Sequence, residues 1–169
     1  IDEEKELRFY ERGWDLLAEL GYAQYEISNF AKPDSECQHN MNTWRMHEWI
    51  GCGPSAASQY NGERYQRPAN LEEWCIGMNS ATSPKSERVD LDDNLLLADA
   101  VIFGLRMNRG VDLNKLSLKF IHATNRIDLE KKLIFFVKEG LIKSKDTHYA
   151  LTHQGRLLCD SLAIDLLDV

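Results

Sequence analysis

Nothing in this 169-residue chain approaches the run of about 18 apolar residues that spans a bilayer, and no secretory signal is visible. The second absence carries little weight, because the chain opens Ile1-Asp2-Glu3-Glu4 with no Met and reads as a piece of something longer. Closely spaced cysteines are also missing. Cys37, Cys52, Cys75 and Cys159 lie 15, 23 and 84 positions apart, with no CxxC or CxxxCxxC run. That argues against a zinc or iron–sulfur site built by this chain alone, and for free reduced thiols. Positive charge is short too. The 20 Lys/Arg stand against 27 Asp/Glu, a net charge of −7; residues 1–90 hold 9 against 16, and residues 91–169 hold 11 against 11. Neither stretch has the basic excess of a phosphate-binding surface. Internal repeats and low-complexity tracts are absent. What remains is ordinary for a globular protein, 43% hydrophobic and 28% charged, enough for one good core or two small ones.

Periodicity predicts an amphipathic helix over 2–20, with Leu7, Tyr10, Trp14, Leu17 and Leu20 on one face and Gly21 as its C-terminal cap. Tyr22 to Phe30 reads as a strand, and helix–Gly–strand is an α/β signature. Ala31-Lys32-Pro33-Asp34 closes it as a turn. A short strand is expected at Gly62–Gln66 after an Asn61-Gly62 turn, then a helix over Leu71–Met78 capped by Asn70. Residues 79–90 (NSATSPKSERVD) are polar and Ser-rich and mark a linker between units 1–78 and 91–169. In the second unit Asp90 is the expected N-cap of a helix carrying Leu95, Ala98, Ile102 and Leu105 and ended by Gly110. Asp112 caps a short helix, Leu129–Glu139 forms a third, and Leu141-Ile142 pairs with Tyr149–Leu151 across a turn at Lys145-Asp146. Thr152 caps a last helix. This outline is winged-helix-like. The charge balance argues against a nucleic-acid role, as does the apolar centre of Leu129–Gly140 (LEKKLIFFVKEG), which reads as buried.

Gly21 to Ser58 concentrates residues that are poor choices for a core. His39-Asn40-x-x-x-Trp44 is expected in a polar loop, where an imidazole can ligate iron, titrate near neutral pH or sit in solvent. Haem iron takes an axial imidazole, and an aromatic neighbour can cover the macrocycle. The loop Gly51-x-Gly53-Pro54-Ser55-Ala56-Ala57 either lets backbone approach a cofactor or is a tight turn with no ligand. It is not a dinucleotide fingerprint, because the third glycine and a following helix are missing. His47, His122, His148 and His153 are scattered without metal spacing.

The blocks GYAQYEISNFAKP, CQHNMNTW, IGCGPSAAS, FGLRMNRGVDL and LTHQGRLL, in this order over nearly the whole chain, resemble HemW haem chaperones and the related oxygen-independent coproporphyrinogen III oxidases. This chain resembles only the downstream half of that family. The resemblance implies an α/β fold: the C-terminal part of a radical-SAM partial (β/α) barrel, followed by a mostly helical, winged-helix-like domain. It implies haem contacts at His39, Asn40 and Trp44, with Thr43 where the family has Tyr. It also implies S-adenosylmethionine contacts at Ala31 and Ala57 in the complete protein. The family's [4Fe–4S] cluster motif is absent from this sequence, so the chain alone is expected to perform no radical chemistry. Implied partners are haem or porphyrin, haem-requiring acceptor proteins and the N-terminal radical-SAM half, with a homodimer left open. The implied location is cytoplasmic, with membrane association also left open. Oxidative decarboxylation of coproporphyrinogen III by the complete protein is the alternative activity.

Overall fold

The chain enters on a capped helix. In the computed structural model, which describes residues 2–80 and 86–167, the Asp2 carboxylate accepts a hydrogen bond from the Lys5 N–H at the start of α1 (Glu3–Glu19). At the other end Gly21 (φ +80°) lets Gly21 N–H reach the Ala18 carbonyl and Tyr22 N–H the Leu17 carbonyl. The single strand expected over Tyr22–Phe30 is instead two short ones, β1 (Ala23–Gln24) and β2 (Phe30–Ala31), paired antiparallel with Ala23 opposite Ala31. The break has a cause. The Glu26 carboxylate accepts from the Ser28 N–H (2.9 Å) and from the Asn29 side-chain amide, folding 26–29 into a turn.

After α2 (Gln38–Trp44), the strands β3 (Ala57–Tyr60) and β4 (Glu63–Gln66) form a hairpin. Its two-residue turn is Asn61-Gly62, both at positive φ, as the right-handed twist of such hairpins requires. Asn70 caps α3 (Leu71–Met78) through the Glu73 N–H. The polar stretch expected as a linker departs from that reading: Ser86–Asp90 is β5, which pairs antiparallel with β4 in a sheet of order β3-β4-β5. Its residues 81–85 lie outside the described residues.

The rest of the chain wraps one helix that is apolar on nearly every side. In α4 (Asp93–Arg106), Leu97, Ala98, Ala100, Val101, Ile102 and Leu105 are all buried, and such a helix must be enclosed. Its N-cap is Asp92 rather than Asp90, and it stops at Arg106, short of Gly110. Around it lie β6 (Val111–Asp112), α5 (Leu113–Lys119), α6 (Arg126–Lys138), β7 (Ile142–Lys145) and β8 (His148–Leu151), with the strands ordered β6-β8-β7. The final helix breaks at Leu158 into α7 (His153–Leu157) and α8 (Cys159–Leu167). Leu113, Leu129, Leu133, Ile142 and Leu166 fill the shared core, and Met46 reaches it from the first half of the chain. The architecture is mixed α/β. Among the described residues no helix is long and apolar enough to cross a membrane.

Candidate functional site

His39 lies on a helix, not in the polar loop expected from the sequence. The residues of α2 (QHNMNTW) are mediocre helix formers, and Cys37 at the N-cap offers no side-chain hydrogen bond. Packing decides the matter: Met41 is 3% exposed, and α2 lies against α4. The helix ends without glycine. Met46 takes φ +59°, with Met46 N–H on the Thr43 carbonyl and His47 N–H on the Asn42 carbonyl, each 3.0 Å. That closure usually uses Gly; here burial of the Met46 side chain holds it.

The imidazole of His39 is exposed and makes no hydrogen bond or ion pair among the described residues. Thr43, one turn on, shares its face and donates its hydroxyl to the His39 carbonyl (3.2 Å). Trp44 is five positions from His39, roughly 140° around the helix axis, and points the other way. Its ring meets Phe103 edge-on at 5.6 Å, and the Arg106 guanidinium sits 4.9 Å from its centroid. Its Nε1 is buried with no acceptor among the described residues. Asn40, four residues before Trp44, is half-buried on the Trp44 side. The structure therefore groups Asn40 with Trp44 and sets His39 with Thr43.

Behind Trp44 runs a polar–aromatic chain that the sequence reading missed. Asp99, Phe103 and Arg106 follow helical spacing along one face of α4. Asp99 Oδ2 accepts from Arg64 Nη2 at 2.8 Å, and the Arg64 guanidinium stands 5.9 Å from the Phe103 centroid. Arg106 also pairs with Asp160 at 3.0 Å. The available signal was a lone acid inside the apolar run LLLADAVIFG.

Ala31 is buried on β2 and Ala57 is exposed on β3. The small-residue loop is drawn tight by its own groups: Gly51 N–H donates to Ser58 Oγ (3.0 Å), Ser55 N–H to the Pro68 carbonyl and Ala56 N–H to the Gly53 carbonyl. A Cβ on Gly51 would lie 2.3 Å from the Ala57 carbonyl oxygen, so its glycine serves a contact within the chain. Among the described residues no three His, Cys, Asp or Glu side chains converge as a metal site. The larger cavity, about 610 Å³, lies elsewhere, walled by Phe9, Tyr10, Trp14, Phe30, Arg106 and Cys159, and none of the five expected site residues lines it. Burial there pushes the Cys159 thiol up to about 11, against the opposing pull of Arg106.

Residues 91–158 match the HemN C-terminal domain. The heme chaperone HemW of Synechocystis is 35% identical over 64% of this chain and 27% of its own length. The heme chaperone HemW of Bacillus subtilis is 26% identical over 92% of this chain and 41% of its own. Residues 91–158 belong to the HemN C-terminal domain family, and the chain as a whole is similar to HemW/HemN-like radical-SAM proteins. It spans well under half the length of these curated relatives and corresponds to their C-terminal portion. A solved structure of coproporphyrinogen III oxidase (HemN) from Escherichia coli shares its fold, with a TM-score of 0.77 and 18% identity over 98% of this chain and 42% of that one. The HemN C-terminal domain match begins at residue 91, so α2 and its His39 lie outside it.

Proposed function

We propose that this chain is the portion of a HemW-like protein that holds haem, with His39 as axial ligand, for delivery by the complete protein to haem-requiring acceptors. One observation carries the reading: an exposed, unengaged imidazole on a helix pinned from behind by Trp44, Phe103 and Arg106. A ligand histidine needs a free ring nitrogen on a rigid mount, and the names of the curated relatives supply the cargo. In this reading Asn40 and Trp44 fix the helix, and Thr43 in place of the family Tyr leaves the neighbouring face of His39 open.

The finer architecture belongs to the same proposal. α1 with β1 and β2 is read as the end of the partial barrel, and α4 to α8 with β6–β8 as the winged-helix-like unit. Ala31 and Ala57 would line S-adenosylmethionine sites completed by upstream residues. The [4Fe–4S] cluster of the complete protein would be held by residues outside this chain, and no step is routed through it.

The test is a haemin titration of the chain beside His39→Ala, followed by the Soret band. A saturable shift in the parent and a much weaker one in the variant is the expected result. Equal, non-saturating spectra would refute it. The fold shared with HemN supports a second reading, coproporphyrinogen oxidation by the complete protein. Turnover of coproporphyrinogen III by that protein, unaffected by His39→Ala, would favour it.

A further inference from the structure

A smaller pocket, about 240 Å³, opens where the end of α2 meets α4 and α5. Its floor is apolar, formed by Trp44, Met46, Met107 and Leu116. Its rim is cationic: Arg45, Arg109, Lys115 and Lys119 surround one acid, Asp112. In a chain of net charge −7 this is a local reversal of sign. Asp112 is already engaged. Its Oδ1 accepts from the Lys115 N–H and the Thr147 hydroxyl, and its Oδ2 lies 3.7 Å from Lys115 Nζ.

The two arginines are not engaged in this way. Among the described residues neither Arg45 nor Arg109 makes an ion pair, and Arg109 touches only the Met107 sulfur, at 3.4 Å from Nη2. Burial first, and then the charge of Arg45, hold the Arg109 guanidinium below its usual range, against the opposing pull of the Glu36 carboxylate. Guanidinium groups with no ion-pair partner among the described residues, beside an aromatic and thioether floor, suit a flat apolar body that carries carboxylates. The volume is below the roughly 300–1,000 Å³ of whole-ligand pockets, so the pocket accepts an arm or an edge. Arg45, the residue that caps α2, stands six positions beyond His39, about 9 Å along the helix axis and about 120° around it.

We propose that this pocket takes the carboxylate-bearing edge of a tetrapyrrole, with Arg45 and Arg109 as its anion receptors. The proposal rests on the haem reading of α2 but does not require iron ligation by His39. The probe is therefore metal-free protoporphyrin, titrated into the chain by quenching of tryptophan fluorescence. Arg45→Gln/Arg109→Gln is expected to weaken binding about tenfold to a hundredfold, the loss of one or two charge-assisted contacts. The dimethyl ester of protoporphyrin should bind the parent as weakly as the free acid binds the double variant. This arm needs no substitution and stands even if the variant misfolds. Lys143→Gln, which removes an exposed charge from β7 outside the pocket, should leave metal-free binding unchanged, and failure of the ligand assignment is seen separately, in the haemin titration of His39→Ala. Equal affinity of free acid and ester, no binding of the free acid by the parent, or inorganic phosphate binding as tightly as the porphyrin would each overturn the proposal.

Discussion

The Arg64–Asp99 pair ties the β3-β4-β5 sheet to the helix that backs α2. Its removal should cost more than any surface ion pair. Asp99 is 4% exposed, and its carboxylate lies 2.8 Å from the Arg64 guanidinium, whose side chain keeps 29% of its exposure. Removing one partner of an enclosed pair costs about 3–5 kcal/mol, mostly the penalty of stranding the other charge. Here water still reaches Arg64, so we expect Asp99→Leu to cost about 2–3 kcal/mol. In a chain of this size that lowers the thermal midpoint by about 5–10 °C. Arg64→Leu/Asp99→Leu removes both charges and should recover most of the loss. It should not recover all, because Arg64 also donates to Gln59, which is 5% exposed and would lose that partner. Urea unfolding followed by circular dichroism reads all three proteins. Asp99→Leu within 0.5 kcal/mol of the parent, or a double variant no more stable than the single, would refute the reasoning.

Four further outcomes are expected. A colourimetric thiol reagent at pH 8 should titrate exposed Cys37, Cys52 and Cys75 but not buried Cys159, and denaturant should release the fourth thiol. Because folding raises the Cys159 pKa from about 9 to about 11, its contribution to stability is complete below pH 9 and is lost as pH rises through 11; alkaline unfolding of Cys159→Ala should show a weaker dependence in that window. Glu26→Ala should destabilise by about 2 kcal/mol, since the Ser28 N–H and the Asn29 amide lose their acceptor, whereas Glu26→Gln, which retains one, should cost less; equal losses would contradict this. Gly110→Ala should cost about 2–4 kcal/mol by thermal melt, because Gly110 has φ +69° and an added Cβ would meet the Tyr149 carbonyl at 2.1 Å.

Much of the second half was legible because its signals were local. Asp112 and Thr152 cap the helices they precede, Gly140 stops α6, and the turn at Lys145-Asp146 brings Ile142 opposite Leu151. The misreadings have two physical origins, a partner far along the chain and a buried acid within the segment itself. Ser86–Asp90 looks like a connector by composition, yet it completes the sheet because β4 offers an unpaired edge. Tyr22–Phe30 has strand composition, yet a carboxylate at Glu26 bends it. The fully buried Glu26 and Asp99 were missed because an acid's ordinary place is the surface.

The same argument bears on α2. By propensity QHNMNTW is a loop, and it becomes a helix because Met41 and Trp44 find α4 about sixty residues later in the chain. His39 owes its position to residues on the other side of α2. Its mount depends on Phe103 and Arg106, which depend in turn on Arg64–Asp99 and Arg106–Asp160. Spacing alone could pick out His39 and Trp44, but it placed them side by side. The helix separates them, giving one residue to solvent and the other to the contact with Phe103 and Arg106 on α4. A substitution at Trp44 should therefore affect the position and stability of α2 first, and the chemistry of the His39 imidazole only through them.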